Sequence, residues 1–272
     1  MADGVTLFLD EYNPDLAVER GVFVMAGVLV RSGAHQTRAA GDFSSLAAGD
    51  ARFDRKARKW EAEQFGVFAE YLLGHEVLPV AWRIALNPPL VAEIRRCVAA
   101  GFPPRRDRAM RPTQWILCHG VTQTLASASV AWLLRNGQVT SLDVVIDRGN
   151  FAIWQQETLA DVVGLWSGPY AIEAVRRRTP DMPDDYLAEL HGLGVWRAPS
   201  LQVEARGPML AVADAYTSLV ARALAGEVRA RSALESLRAS YRYRHSGLDA
   251  HFLCKDGTDG VKRDLAAGWP LR

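Results

Sequence analysis

The sequence predicts an α/β domain in which a mixed β-sheet is flanked by helices on both faces. Two observations lead to this prediction. The apolar runs Val5 to Asp10 and Val22 to Val30 are joined by a short loop containing Asn13-Pro14-Asp15, which is typical of an antiparallel pair of strands. Further along, segments of helical periodicity alternate with short apolar runs, which favours parallel strands connected by helices.

The remaining elements follow from the spacing of the apolar residues. Residues 31–50 are rich in Gly, Ala and Ser with little periodicity, so they predict a loop or a short helix. The other predicted helices span residues 54–73, 88–100, 113–135, 151–166, 208–225 and 227–241, and the other strands span 76–86, 142–147 and 200–204. A polar, Gly-rich tail is expected after the last helix.

Length and composition suit a protein with one sizeable core, since the 272 residues are 49% hydrophobic. We expect residues 1–226 to form one domain with a helical insertion at about 88–136, and residues 227–272 to pack on it as a helix and tail. The acidic start is unlike a secretory signal, and the apolar stretch 21–30 is too short to span a bilayer. A cytoplasmic protein without membrane association is therefore expected.

The cysteines and the overall charge exclude several classes of protein. Cys97, Cys118 and Cys254 are widely spaced and form no CxxC pair, which argues against a disulfide framework or a cysteine zinc site. The 32 Lys and Arg residues balance 31 Asp and Glu residues, so the net charge of +1 gives no global signature of a nucleic-acid binder. Any nucleic acid would have to be held by local basic patches.

One such patch is the Pro-bounded loop over residues 102–112, and a further arginine directly follows Asp147. Arginine side chains suit bidentate contacts with phosphates. Runs of this kind are also common as plain solvent-exposed faces, and an Arg-rich composition follows equally from a GC-rich genome. The candidate nucleic-acid-binding residues are Arg105, Arg106, Arg108, Arg111 and Arg148.

Two aspartates stand at the ends of predicted strands. Asp10 closes one apolar run, and Asp147 closes Val144-Val145-Ile146. If these strands are neighbours, the two carboxylates lie close together and repel each other unless a metal ion neutralises them. Clustered carboxylates are what a two-metal phosphoryl-transfer site requires. The alternative is that each Asp simply begins the turn after its strand.

A third aspartate, Asp214, lies within the predicted helix 208–225. Leu210, Asp214 and Thr217 share one face of this helix by their spacing. An acidic side chain on an apolar helix that packs against a sheet needs a partner. A metal ion is one such partner, and a buried ion pair with Arg222 or Arg206 is the other.

Two glutamates are further candidates for metal ligands. Glu11 follows Asp10 and points to the opposite side if the strand continues, so it reaches the site only if the backbone turns there. Glu204 ends the strand that precedes the Asp214 helix. The candidate metal ligands are therefore Asp10, Glu11, Asp147, Asp214 and Glu204, and the candidate catalytic residues are Asp10, Asp147 and Asp214.

The order and spacing of these motifs resemble the bacterial family known as domain of unknown function 3800. The resemblance is carried by Phe8-Leu9-Asp10-Glu11, by Val144-Val145-Ile146-Asp147 and by Ala211-Val212-Ala213-Asp214-Ala215, and it covers residues 5 to about 225. It implies a ribonuclease H-like fold whose clustered carboxylates bind divalent metal. Tyr12, Asn13 and Ala215 depart from the family pattern, and the resemblance leaves open whether Glu61 or Glu63 belongs to the site.

Taken together, these observations predict a nuclease that uses Mg²⁺ or Mn²⁺ to hydrolyse phosphodiesters of DNA or RNA. A protein of a different class is the alternative: a catalytically inactive ribonuclease H-like module that binds nucleic acid or a protein partner. Either interpretation leaves room for a homodimer.

Overall fold

The computed structural model describes residues 4–53, 57–100, 110–136, 141–147, 156–157, 159–160, 163, 200–204, 207–241 and 254–267. Their strands are β1 (Gly4–Tyr12), β2 (Val22–Arg31), β3 (Leu78–Ala85), β4 (Ser141–Asp147), β5 (Leu201–Glu204) and β6 (Lys255–Asp256). Their helices are α1 (Ala34–Gly49), α2 (Ala62–Gly74), α3 (Pro88–Ala99), α4 (Pro112–Asn136), α5 (Pro208–Leu224), α6 (Val228–Ser240) and α7 (Thr258–Ala267).

The six described strands form one mixed sheet in the order β5-β4-β1-β2-β3-β6. Strands β1, β2 and β3 are antiparallel neighbours, whereas β4 runs parallel to β1, and β5 runs parallel to β4. The predicted α/β architecture is confirmed, including the antiparallel start and the parallel strands that follow. Strand β2 is apolar and buried from Val22 to Val30 because both faces of the sheet are covered.

Helices cover the two faces of the sheet separately. Met25 of β2 lies against Gly120 of α4. The next residue, Ala26, pairs with Asp10 of β1, and the side chain of Asp10 interacts with that of Asp214 in α5. Because successive side chains of a strand alternate between faces, α4 and α5 lie on opposite sides of the sheet. Helices α1 and α6 pack against α5, and α3 packs against α4. Asp214, the acidic residue of α5, therefore lies on the face of the sheet opposite to α4.

Helix α4 is buried from Gln114 to Trp132, including polar side chains such as His119, Gln123 and Thr124. His119 Nε2 lies 2.9 Å from Asp264 Oδ2, which ties α7 to this helix. No helix among the described residues is both long enough and apolar enough to cross a membrane.

Four local expectations need correction. Residues 31–50 contain the 16-residue helix α1, which buries Ala39 and Phe43, rather than a loop or a short helix. Strand β1 continues past Asp10 to Tyr12, because Tyr12 still pairs with Val24. Helix α2 begins only at Ala62, after a 3-10 turn over residues 57–59. The polar tail contains β6 and α7, and β6 extends the sheet beyond β3.

Strands β1 and β2 approach closely at Gly27, which pairs with Leu9. A Cβ atom at this position would overlap the carbonyl oxygen of Phe8, so no larger residue fits without a shift of the backbone. Gly27 stands next to Ala26, the partner of Asp10 in the ladder. The close contact at Gly27 therefore helps to fix the position of β1 relative to β2 beside Asp10.

Candidate carboxylate site

Three acidic residues form a row across three neighbouring strands. In the parallel ladder of β1 and β4, Leu9 pairs with Ile146, so Asp10 and Asp147 are the next residues on the two strands. Asp147 in turn pairs with Glu204 of β5. Residues in register on parallel strands point to the same face, so Asp10, Asp147 and Glu204 share one face. The strands that carry Asp10 and Asp147 are therefore neighbours, which is the condition for the shared metal site expected from the sequence.

Helix α5 brings the fourth acid to this row. The carboxyl groups of Asp10 and Asp214 lie within reach of each other, close enough for a hydrogen bond when Asp10 carries a proton. Both side chains are partly buried at the contact between the helix and the sheet. The helix face predicted to carry Leu210, Asp214 and Thr217 therefore does lie against β1.

The environment of Asp10 disfavours its charged form. Burial raises the pKa of Asp10 well above its usual range, and the negative charges of Glu11 and Asp214 raise this pKa further. The hydrogen bond shared with Asp214 acts in the same direction, while a hydrogen bond from the backbone N–H of Glu11 opposes it. Burial and neighbouring negative charge therefore both favour the neutral form of Asp10.

Within the described part of the chain, no Arg, Lys or His forms an ion pair with Asp10, Asp214 or Glu204. Arg222 was one expected partner of Asp214, but its guanidinium binds Glu227 at 2.6 Å and also the backbone carbonyl of Trp60. The other expected partner, Arg206, lies outside the described residues. The ion-pair alternative with Arg222 is therefore wrong.

Glu11 is placed differently from the other candidate ligands. It pairs with Met25, and Met25 lies against α4. Because β1 continues in regular pairing to Tyr12, the alternation of side chains puts Glu11 on the α4 face, opposite to Asp214. The backbone turn that would bring Glu11 into the row is not present. Its charge still acts on Asp10 through the sheet.

The two glutamates left open by the family resemblance have structural roles instead. Glu61 caps the N-terminus of α2 in a reciprocal pair with Gln64. Glu63 forms an exposed ion pair with Arg52 at 3.1 Å. Neither of them joins the row of carboxylates.

Of the candidate phosphate-binding arginines, only one falls within the described residues. Arg111 is exposed and directly precedes α4. The remaining four, Arg105, Arg106, Arg108 and Arg148, lie outside the described residues.

The donor atoms of the row suit a hard cation, since all of them are carboxylate oxygens, the ligands that Mg²⁺ and Mn²⁺ prefer. The described side chains nevertheless include no group of three or more His, Cys, Asp or Glu residues placed together closely enough to hold a metal ion. The structure thus provides one carboxyl pair in contact, Asp10 with Asp214, and two further acids in line with it.

Thr217 is a neighbour of the site that the sequence placed on the correct helix face without assigning it a role. Its hydroxyl donates to the carbonyl of Ala213 at 2.9 Å and lies 3.4 Å from the carbonyl oxygen of Asp10. The second contact is long for a hydrogen bond. It still shows that one turn of α5 beyond Asp214 rests directly on the backbone of Asp10.

No family model, no curated protein and no solved structure matches the chain.

Proposed function

We propose that the chain is a divalent-metal-dependent nuclease that hydrolyses nucleic-acid phosphodiesters through Asp10, Asp147 and Asp214. One observation carries this proposal: Asp10 and Asp214 press two carboxyl groups together at the sheet, in line with Asp147 and Glu204, with no described basic side chain paired to Asp10, Asp214 or Glu204. Acids that are partly buried together without a cation are costly, and such arrangements are concentrated at functional sites.

The topology of the sheet supports a ribonuclease H-like fold as part of this proposal. The antiparallel strands β1 to β3, followed by the parallel strands β4 and β5 on the other side of β1, form the mixed sheet implied by the resemblance to domain of unknown function 3800. Asp10, Asp147 and Asp214 occupy β1, the end of β4 and the helix after β5, which is the order of the motifs that carry the resemblance.

In the proposed site, Asp10 and Asp214 are the inner ligands and Asp147 is their neighbour across the ladder. A bound Mg²⁺ or Mn²⁺ would supply an activated water and neutralise charge on the phosphate. Asp10, whose pKa is raised, would have to lose its proton before it could act as a ligand. Arg111, and Arg105, Arg106, Arg108 and Arg148 outside the described residues, are the proposed contacts for the nucleic-acid backbone.

Metal binding is tested first, by measuring the melting temperature with and without Mn²⁺ or Mg²⁺. A ligand that binds only the folded protein raises this temperature by mass action. Asp147→Asn should abolish the rise, whereas Asp143→Asn, at the start of the same strand, should keep it. Asp143 accepts a hydrogen bond from the Ser200 hydroxyl at the other end of β4, away from the row, which makes this variant a matched control. An equal rise in Asp147→Asn would place the metal elsewhere.

Turnover is tested separately on labelled single-stranded and duplex DNA, RNA and hybrid oligonucleotides. Cleavage should occur in Mn²⁺ and stop in EDTA, and Asp10→Ala or Asp214→Ala should stop it while leaving substrate binding nearly intact. The double change Arg105→Ala with Arg106→Ala should weaken binding and flatten its salt dependence by roughly one unit of slope for each lost phosphate contact. Salt-sensitive binding without metal-dependent cleavage would instead identify the inactive binding module.

A further inference from the structure

Strand β3 would form one edge of the described sheet if β6 were absent. Its eight residues are apolar except for Arg83, and they include Pro79, a residue that sheets tolerate mainly in their edge strands. The edge of such a strand presents backbone N–H and C=O groups that pair readily with another chain. Charged side chains are a common protection against this pairing, and β3 carries only one of them.

The C-terminal segment 254–267, which we call the strap, covers this edge. It contains β6, which pairs in parallel with β3, and the backbone N–H of Gly257 donates to the carbonyl of Arg83 at 2.7 Å. The hydroxyl of Thr258 accepts a hydrogen bond from the backbone N–H of Ala85 at 2.9 Å. Backbone groups that β3 would otherwise offer to another strand are therefore already in use.

Gly257 allows the strap to lie this close to β3. A Cβ atom at this position would overlap the indole ring of Trp82, which is 1% exposed. This ring has no room to move aside, because it also packs against the rings of Phe23 and His119. A larger residue at position 257 would therefore push the strap away from the edge.

Helix α7 holds the rest of the strap in place. Val261 and Leu265 are buried, and Asp264 Oδ2 lies 2.9 Å from Nε2 of the buried His119. The helix contacts both β3 and α3. Covering a sheet edge with a helix is one of the ways in which natural proteins prevent edge-to-edge association. The strap therefore has the position and the contacts that such a cover requires.

We propose that the strap is an autoinhibitory cover, which occupies the β3 edge and so prevents β3 from pairing with the same strand of a second copy of the chain. A symmetric dimer uses the same residues of both copies, and a two-fold axis makes the two β3 strands antiparallel. Such a pair forms only when the strap is displaced, because the strap uses the same backbone groups. The proposal is independent of the carboxylate site, whose acids lie on β1, β4, β5 and α5.

Gly257→Ala in the full-length protein tests the cover, with Gly260→Ala as the matched control. Gly260 also lies in the strap, but a Cβ atom there would have open space around it. In Gly257→Ala, the Ala85 amide should exchange its hydrogen about 10-fold faster than in the wild type, because exchange follows local opening. Sedimentation velocity should show a concentration-dependent dimer that is not formed by the wild type or by Gly260→Ala.

A second variant displaces the strap without adding bulk beside Trp82. Val261→Ser with Leu265→Ser removes both apolar anchors of α7, so it should give the same dimer while circular dichroism shows that the rest of the chain is folded. This variant keeps the proposal testable if Gly257→Ala fails to fold.

A synthetic peptide with the sequence of residues 254–267 identifies the surface used by the dimer. Because the peptide binds the same edge, an excess of it should return the dimer of either variant to the monomer. A dimer that the peptide leaves intact would overturn the proposal, since the contact would then lie elsewhere. Faster exchange at Ala85 without a dimer would also overturn it, and so would an Ala85 amide as well protected in both variants as in the wild type.

Discussion

Acidic side chains are treated differently in two regions of this molecule. Around the ends of α5 and α7, the acids have basic partners: Glu227 binds Arg222, and Asp264 lies 2.9 Å from His119. At the ends of β1 and β5, Asp10 and Glu204 have no such partner among the described residues. Instead, Asp10 shares a hydrogen bond with another acid, Asp214.

The two groups of acids therefore contribute differently to the stability of the fold. A half-buried acid with a basic partner supports packing, because the pair satisfies both charges and joins two elements. Two acids held together without a cation work against folding, because burial and mutual repulsion raise the free energy of the charged forms. Such a cost is typical of sites that bind or react, and it is the basis of the functional proposal.

The largest expected loss of stability comes from replacing Arg222, the basic partner of Glu227. Its guanidinium donates hydrogen bonds to the Glu227 carboxylate and to the Trp60 carbonyl, and it lies over the Phe65 ring at 4.7 Å. Arg222→Met should lower the free energy of unfolding by about 3 kcal/mol, because it leaves a half-buried carboxylate and a carbonyl without their partner. Urea unfolding followed by circular dichroism measures this loss.

Arg52→Met provides the matched control for that change. Arg52 also pairs with two acids, Asp50 and Glu63, but its side chain is largely exposed. Solvent screens such pairs, so we expect little change in stability. Equal losses in the two variants would mean that burial does not decide the value of these ion pairs.

A smaller effect is expected at the His119 contact. Asp264→Ala removes the carboxylate that faces Nε2 of a fully buried imidazole ring, between the rings of Trp82 and Trp115. The expected loss is about 1.5 kcal/mol, the typical cost of removing one partner from a buried hydrogen bond. Asp259→Ala on the same helix is the control, since Asp259 is 89% exposed and pairs only with Lys262. A loss of similar size in both variants would contradict the role given to burial.

Much of the sheet was predictable because its signals are local. The apolar runs of β1, β2 and β4 and the helical face of Asp214 each depend on residues close together in sequence. The full extent of β1 was not predictable from the sequence, because Tyr12 belongs to the strand through its pairing with Val24. Helix α1 was also missed: its Gly and Ser residues hide a periodicity that becomes useful only when Ala39 and Phe43 pack in the core.

The residues of the candidate site likewise include some whose placement the sequence predicted and others whose placement it did not. That Asp10 and Asp147 become neighbours follows from a parallel pairing that the sequence suggested. The cap of α2 is a local contact between Glu61 and Gln64, but glutamate is not a usual N-cap residue, so the sequence did not point to this role. The assignment of Glu11 to the other face needed the observed length of β1, although the rule of alternation was already available.

The smallest expected effect is a gain in stability instead of a loss, and it concerns Asp10, which has no basic partner among the described residues. Burial and the charges of Glu11 and Asp214 raise the pKa of Asp10 in the folded protein above its value in the unfolded chain. Between these two pKa values the folded state binds more protons than the unfolded state. Its stability therefore falls as pH rises from the ordinary carboxyl range through the raised pKa of Asp10. The free-energy cost of holding Asp10 in its charged form in the folded protein is then fully present at alkaline pH.

Asp10→Asn should remove this cost and make the metal-free protein more stable than the wild type, which is the reverse of the Arg222→Met and Asp264→Ala results. In EDTA, we expect its melting temperature to exceed that of the wild type by roughly 2–4 °C at pH 8, corresponding to about 1 kcal/mol for a domain of this size. The difference should shrink as the pH approaches 4, where Asp10 is protonated in both states. Calorimetry at both pH values tests this. A less stable Asp10→Asn protein at pH 8 would show that the Asp10 carboxyl group supports the fold, and the contrast between the two regions would then be lost.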